Sequence, residues 1–311
     1  MRGRTGPHRQ LRASGGFIIV AALWILLALA TLASIASLYV AQSAHALAPL
    51  EETLQTDALI TAGLELTTYR LSMPTPNGRR PTRGAFRFRL ARTNVEIEFL
   101  SEAARVDLNS APRVLIAGLF AALGAQSRDA EGYADRVIAW RTLAKPGAPD
   151  GEEALYRAAG LSYPPRRAPF NHVEELSLVA GLPPALVARA APFVTIFSGR
   201  RDVNVLDAAP EVIAALPEMS PARLNAFLTA REAGSPDPNF LARSLGDKQS
   251  GATTQGSDAY RVRMRLVADS GRRQMSEAVI LLLGPNDARP YGVLSWKTDS
   301  ATADAVRSGG L

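Results

Sequence analysis

The sequence predicts an α+β protein: a long N-terminal helix that begins as a membrane span, an antiparallel sheet, and a large all-helical insert that interrupts the sheet. Three observations lead there. Residues 17–41 form an uncharged apolar run. Segments of strict two-residue alternation stand near both ends of the remaining chain. A degenerate helical repeat lies between them.

A chain of 311 residues suffices for one large or two smaller domains with a real core, and 47% hydrophobic with 21% charged residues is ordinary for a globular protein. There is no cysteine, which excludes disulfides, thiolate metal sites and a cysteine nucleophile, and His8, His45 and His172 are scattered far apart. The net charge of +6 is concentrated at the start, in Arg2, Arg4, Arg9 and Arg12; without these four, 31 basic residues face 29 acidic ones. The body therefore lacks the surplus that a phosphate-binding face needs.

The apolar run FIIVAALWILLALATLASIASLYVA is long enough to cross a hydrocarbon core of about 30 Å. Arginines flank only its N-terminal side, which keeps Met1 cytoplasmic and sends the body across the membrane. Three readings compete. Ala44-His45-Ala46 resembles a signal-peptidase site, but the run exceeds the usual signal length of about 7–15 residues. A plain single-span anchor is the second. The third, which is favoured, rests on Ser14-Gly15-Gly16-Phe17, where a short basic leader ends in glycine directly before the apolar run. Cleavage between Gly16 and Phe17 would leave the helix on the mature protein.

Beyond the span, Leu47, Leu50, Leu54, Ala58, Ala62, Leu66 and Tyr69 recur at helical spacing and predict a continued amphipathic helix, with Pro49 as a kink or restart. The run from Met73 to Gly78 ends it. GAFRFRLA and TNVEIEFL then alternate as half-buried strands, with arginines on one and glutamates on the other that can pair across a hairpin. Near the C-terminus YRVRMRL, the apolar run 278–283 and residues 291–296 supply three more strands. The alternating arginines are read as a solvated sheet face.

Residues 106–245 read as helical and hold the repeat. VDLNSAP leads to VLIAGLFAALG and a helix ending at Arg141; VNVLDAAP leads to EVIAALPEMS and a helix ending at Arg231. Ser110 and Asp207 are placed as N-caps, and Asn171 with Glu174 as a capping-box start. Helix-hairpin-helix or SAM-like modules have this pattern, and some bind DNA through a glycine-rich hairpin. The hairpins here, Ala122 to Gln126 and Leu216 to Ser220, lack paired glycines, so a structural use is favoured over a competence-type, membrane-anchored DNA receptor. No reaction suggests itself: there is no nucleophile elbow, phosphate loop or zinc spacing, and adjacent Glu174 and Glu175 would point about 100° apart on a helix.

On these residues the chain resembles the K-type minor pseudopilins of the type II (general) secretion pathway. The resemblance rests on the leader and on four phrases in order: VDLNSAP at 106–112, EELSLVAGL at 174–182, PFVT at 192–195 and VNVLDAAP at 203–210. It is supported by Ala21, the fifth residue after the junction, where most pilins carry glutamate. Leu206, where the family repeats asparagine, is a departure that would loosen the local turn.

The resemblance implies a prepilin leader (1–16), a transmembrane segment (17–41), a pilin-like domain in two parts (42–105 and 258–298) and a SAM-like insert (106–245), in which Asn109, Ser110, Asn204, Asp207, Glu175 and Gly181 shape the repeats. It implies a non-enzymatic subunit of the inner membrane with a periplasmic body, at the pseudopilus tip, where it primes assembly and acts in protein export. Its partners would be I-, J- and H-type minor pseudopilins, the major pseudopilin, the prepilin peptidase and the inner-membrane platform, with no nucleic acid. No cofactor is required. The family also suggests calcium near the C-terminal sheet; Asp237, Asn239, Asp247 and Asp258 offer oxygen donors, but their spacing matches no compact calcium loop, and a solvated linker is the better reading.

Overall fold

The computed structural model describes residues 15–73, 78–144, 151–233, 245, 250–284 and 286–299; side chains of 15–18, 39–52 and 299 are outside the description, as are most of the leader and the breaker residues 74–77. The chain divides into two compact units at Leu59/Ile60. Helix α1 (Gly15–Ser72) is continuous through Pro49. In the first unit, Ile19–Leu38 has a mean hydropathy of 2.5 with none of it buried, long and apolar enough to cross a membrane.

Within the second unit the end of α1, residues 60–72, covers a sheet. The sheet begins with β1 (Arg83–Leu90) and β2 (Thr93–Ser101). Their two-residue turn sets Ala91 at φ 47° and Arg92 at φ 62°, the left-handed pair that the twist of a tight hairpin demands. A long excursion then follows. It holds β3 (Val106–Asp107), α2 (Arg113–Ala122), α3 (Ser127–Arg141), α4 (Gly151–Ala158) and α5 (Pro184–Ala190). It continues with β4 (Val194–Thr195), β5 (Val203–Asn204), α6 (Pro210–Ala214), α7 (Pro221–Glu232) and β6 (Ala252–Thr253). The sheet resumes with β7 (Ala259–Ala268), β8 (Arg273–Leu282) and β9 (Tyr291–Asp299). All neighbours in the order β1-β2-β7-β8-β9 are antiparallel, and β2 meets β7 from Thr93↔Ala268 to Ser101↔Tyr260 across the whole insert.

The period-two pattern decides the two faces of this sheet. Val95, Ile97, Val262, Met264 and Leu266 are buried on one side. The helix approaches that side closely: a Cβ on Gly63 would stand 2.9 Å from Met264 Sδ and 3.0 Å from Ile97 Cδ1. The buried face of α1 differs from the predicted stripe. Leu54 and Tyr69 are exposed, whereas Ile60, Leu64, Thr67, Thr68 and Leu71 are buried. Hydrophobicity misread the face because two of its members are threonines. Thr67 hides its hydroxyl by donating to Gly63 O at 2.7 Å.

The caps are corrected too. Helix α2 is preceded by Pro112 and α6 by Ala209, neither with a side-chain cap; Ser110 and Asp207 lie earlier, inside turns. Pro210 at the first position of α6 removes one of the N–H groups a cap would satisfy. The Asn171 N–H is accepted by Glu175, at 3.1 Å, rather than by Glu174.

The helices of the insert enclose a separate core around Leu115, Phe120, Val137, Trp140, Leu186 and Phe227. Helices α2 and α6 cross at Gly118, where an added Cβ would lie 2.0 Å from Ala215 O. Backbone cannot yield as a side-chain end can. Gly118→Ala is therefore expected to lower stability by about 1–3 kcal/mol or more, measured by denaturant unfolding. Conversely, the Thr68 hydroxyl is buried with no hydrogen-bond partner among the described residues. Thr68→Val keeps the shape and removes the orphan, and should raise stability by about 1 kcal/mol in the same assay.

Candidate functional site

The insert is built on one local device used twice. In the first copy Asp107 ends β3 and turns the chain: its Oδ1 accepts Asn109 N at 2.8 Å and Ser110 N at 3.0 Å, and Ala111 N donates to Asp107 O at 2.8 Å. In the second copy Asn204 ends β5: its Oδ1 accepts Leu206 N at 3.1 Å, and Ala208 N donates to Asn204 O at 3.0 Å. Each turn is preceded by a two-residue parallel pairing, Val106↔Val194 with Asp107↔Thr195, and Val203↔Ala252 with Asn204↔Thr253. Thr195 Oγ1 accepts Phe197 N and Thr253 Oγ1 accepts Gln255 N, so the partner strands match as well.

Arginines at corresponding places close both copies. Arg141 donates to Leu108 O and, at 2.6 Å, to Ala111 O; Arg231 donates to Val205 O at 3.2 Å and Ala208 O at 2.7 Å. Burial holds both guanidiniums below the usual arginine range, with Asp107 opposing that for Arg141. The helix ends were legible as a repeat, but their terminal arginines as loop clamps were not.

The remaining predicted residues fall into place separately. Asn109 reaches across the insert, donating to Phe170 O at 3.0 Å and accepting Phe170 N at 2.7 Å. Leu206 cannot make that reach, yet its turn is intact, so the departure costs a long-range tie rather than the turn. Asp207 accepts Asn204 Nδ2 at 2.9 Å. Glu175 gathers Arg166 Nη1 at 2.7 Å, Asn171 N at 3.1 Å and Trp140 Nε1 at 3.4 Å. Gly181 has φ +74°, and a Cβ there would stand 1.6 Å from Arg136 Nη1, which donates to Ala180 O. The hairpin amides are spent internally: Gly124 N on Ala121 O, Ala125 N on Phe120 O, and Met219 N on Leu216 O.

Gly16, Phe17 and Ala21 lie on α1. Asp237, Asn239 and Asp247 lie outside the described residues, and the Asp258 carboxylate is held by Arg80 at 2.6 Å. Among the described residues no group of three or more His, Cys, Asp or Glu side chains could hold a metal ion.

Sequence reasoning missed the place where insert and sheet join. Glu102 follows β2 directly and is fully buried. Its Oε1 accepts Arg105 Nη1 and Arg261 Nε, both at 2.8 Å; its Oε2 accepts Arg261 Nη2 at 3.2 Å and the Thr195 hydroxyl. Arg105 also donates to Pro192 O at 3.0 Å. Arg261 passes the network to Glu277, which Arg263 Nε holds at 2.8 Å. Arg261 therefore does not belong to a solvated face, although Arg263 and Arg265 do. The signal available was a lone glutamate set in the buried run FLSEAARV.

A cleft of about 410 Å³ opens beside this network, lined by Arg83, Ala85, Glu98, Leu100, Arg105, Asp207, Arg261 and Arg263, among others. Burial raises the Glu277 pKa, but the Arg263 and Arg261 guanidiniums outweigh it and hold the carboxylate below its usual value.

Residues 94–199 match the model of the family described as type II secretion system (T2SS), protein K. No curated protein sequence matches the chain. Among solved structures it is similar to a chain of the GspK-GspI-GspJ complex from the type 2 secretion system of enterotoxigenic Escherichia coli. The two share 18% identity with a TM-score of 0.61, over 80% of this chain and 97% of that one.

A depressed folded pKa makes Glu277 stabilising above the ordinary glutamate value of 4.5, with that contribution lost as pH falls through the lower folded value. Thermal unfolding should show Tm falling with pH below 4.5, and Glu277→Gln should lower Tm at pH 7 while flattening that fall. An unchanged slope in the variant would contradict the assignment.

Proposed function

We propose that the chain is a member of the type II secretion system protein K family and acts as the minor pseudopilin at the tip of a secretion pseudopilus. The observation that carries the reading is the family match over 94–199, which runs from β2 through the first copy of the turn device to Gly199. The fold agrees, with an apolar N-terminal helix and an antiparallel sheet interrupted by helices.

In this reading residues 1–16 are the leader, cut between Gly16 and Phe17, and 17–41 remain as a single inner-membrane span with the body in the periplasm. Residues 42–105 and 258–298 form a pilin-like domain, and 106–245 a SAM-like insert. The work is mechanical rather than catalytic. By analogy with the GspK-GspI-GspJ complex, I- and J-type subunits would be the immediate partners. The H-type and major pseudopilins, the prepilin peptidase and the inner-membrane platform would complete the set. The assembled tip would prime filament growth for export. Ala21 suits a subunit with no neighbour above it, since a carboxylate in the span would have no partner there. The DNA-receptor alternative is not favoured, because the hairpins lack paired glycines and the Gly124, Ala125 and Met219 amides are already bonded internally.

Two outcomes test this. Membrane-extracted protein should begin at Phe17 on N-terminal sequencing; a start at Leu47 would mean removal of the span as a signal peptide. Deleting the gene should reduce export of a secreted reporter and alter pseudopilus number or length on filament imaging, and complementation should restore both. No change in either readout would contradict the proposed role.

A further inference from the structure

Strand β1 leaves one edge of the five-stranded sheet open. The hairpin geometry fixes which of its backbone groups face outward. The two-residue turn at Ala91 and Arg92 makes Leu90↔Thr93 a mutually bonded pair, and such pairs recur at every second residue. Ser101 N, which donates to Thr82 O at 2.7 Å, keeps the same phase just beyond the far end of β1. The N–H and C=O groups of Ala85, Arg87 and Arg89 therefore point away from β2. All three residues are exposed, and among the described residues nothing bonds to these groups. The opposite edge differs. The register of β8 and β9 slips between Val279 and Ile280, a bulge of the kind that blunts an edge. Strand β1 runs from Arg83 to Leu90 in unbroken register and without proline.

The face of β1 that shares its side with α1 is apolar and incompletely covered. Helix α1 sits over β2 and β7, where Gly63 approaches Ile97 and Met264. One helix about 10–12 Å wide cannot cover five strands spaced about 4.8 Å apart. Phe86 and Phe88 are accordingly only half-buried, and Leu90 is 51% exposed. Beside them lies a groove of about 420 Å³ between Leu66, Tyr69 and Met73 on one side and Pro81 and Phe99 on the other. The Arg70 guanidinium stacks 4.1 Å from the centre of the Phe86 ring.

The other face of β1 decides which strand fits. Arg83, Arg87 and Arg89 stand there, so a second copy of β1 along this edge would set arginines beside arginines, an unfavourable pairing. Strand β2 shows the complementary pattern on the inner side. Its Glu96 and Glu98 alternate with Val95, Ile97 and Phe99, which meet Phe88, Phe86 and Gly84. Arg83 has Asp207 as its acid, but toward the hairpin cations exceed acids. Even with Arg272 left aside, Arg87, Arg89, Arg92, Arg265 and Arg273 meet only Glu96, Asp269 and Asp299. Arg87 itself makes no side-chain hydrogen bond or ion pair among the described residues.

We propose that the outer edge of β1 takes up an extended strand of a partner protein, antiparallel like every pair in this sheet, in which acidic residues alternate with apolar ones. The open backbone groups supply the pairing, the arginines receive the acids, and Phe86, Phe88 and the groove beside α1 receive the apolar side chains. The inference stands on β1 and does not depend on the secretion role.

The test uses the full chain in detergent micelles and the blocked peptide acetyl-Thr-Val-Glu-Ile-Glu-Val-Thr-amide, titrated by calorimetry. A counterpart carries lysine for both glutamates, and a third peptide is N-methylated at the two glutamate amides, which face β1 in this pairing. The glutamate peptide should bind at least about tenfold more tightly than either. It should also slow hydrogen exchange at the Ala85, Arg87 and Arg89 amides and leave the β9 amides unchanged. Ala85→Pro removes an outward N–H without breaking the ladder, a place where an edge strand tolerates proline, and should weaken binding at least about tenfold. Arg87→Glu, at an exposed position, should bring the glutamate and lysine peptides within about threefold of each other. No binding of the glutamate peptide, equal binding of the lysine or N-methylated peptide, or protection gained at β9 instead of β1 would each overturn the proposal. So would wild-type affinity and preference in both variants.

Discussion

The buried carboxylate of Glu102 is the constraint on which the arrangement of the second unit depends. It sits one residue beyond β2, takes a two-nitrogen fork from Arg261 on β7, and receives Arg105 from the link that leads into the insert and Thr195 from the insert itself. One side chain thus joins two sheet strands and the strand β4, which lies shortly before the second repeat copy. A buried ion group of this kind is poor evidence for net stability, because desolvation offsets most of the attraction. What it adds is specificity: the observed register of β2 against β7 and the observed seating of the insert together bring four donors to the two oxygens.

The insert needs such a tie because its own logic is local. Each copy of the turn device closes on itself, with an Asp or Asn turning the chain and a distant arginine clamping the freed carbonyls. Two such copies, sharing the contact of α2 and α6 at Gly118, would form a helical body whatever sheet they hung from. Asn109 adds a long-range tie from the first copy to Phe170, and Leu206 lacks it in the second. The second copy relies instead on Asp207, whose other oxygen faces Arg83 and the cleft. The two copies therefore share a backbone pattern but differ in what they offer to the rest of the molecule.

Much of this was legible in the sequence. Strands β1, β2 and β7 follow from strict alternation, β8 from the apolar run 278–283, β9 from the short stretch 291–296, the span from its length, and the repeat from VDLNSAP and VNVLDAAP. What was not legible depended on partners far away in the chain. The buried face of α1 includes Gly63, Thr67 and Thr68, which look polar or neutral until a sheet covers them. Ser110 and Asp207 look like caps, but the residue types that cap helices also build turns, and here the turn won. Arg261 shares its alternation with Arg263 and Arg265, and only Glu102, more than 150 residues away, separates its role from theirs. Local pattern cannot carry that information.

The joint between insert and sheet is where the two parts of the second unit are tied through side chains far apart in the chain. Hydrogen exchange on the full-length protein, wild type against Glu102→Gln, examines this joint directly. Neutralising the carboxylate keeps its volume and leaves Arg105 and Arg261 without their charge partner. The account predicts that protection falls together at the β4 amides, in the insert, and at the β7 amides near Arg261, in the sheet, while the α2–α3 core keeps its protection. Loss confined to the turn at 102–104, or no loss at all, would contradict the claim that this one carboxylate fastens the insert to the sheet.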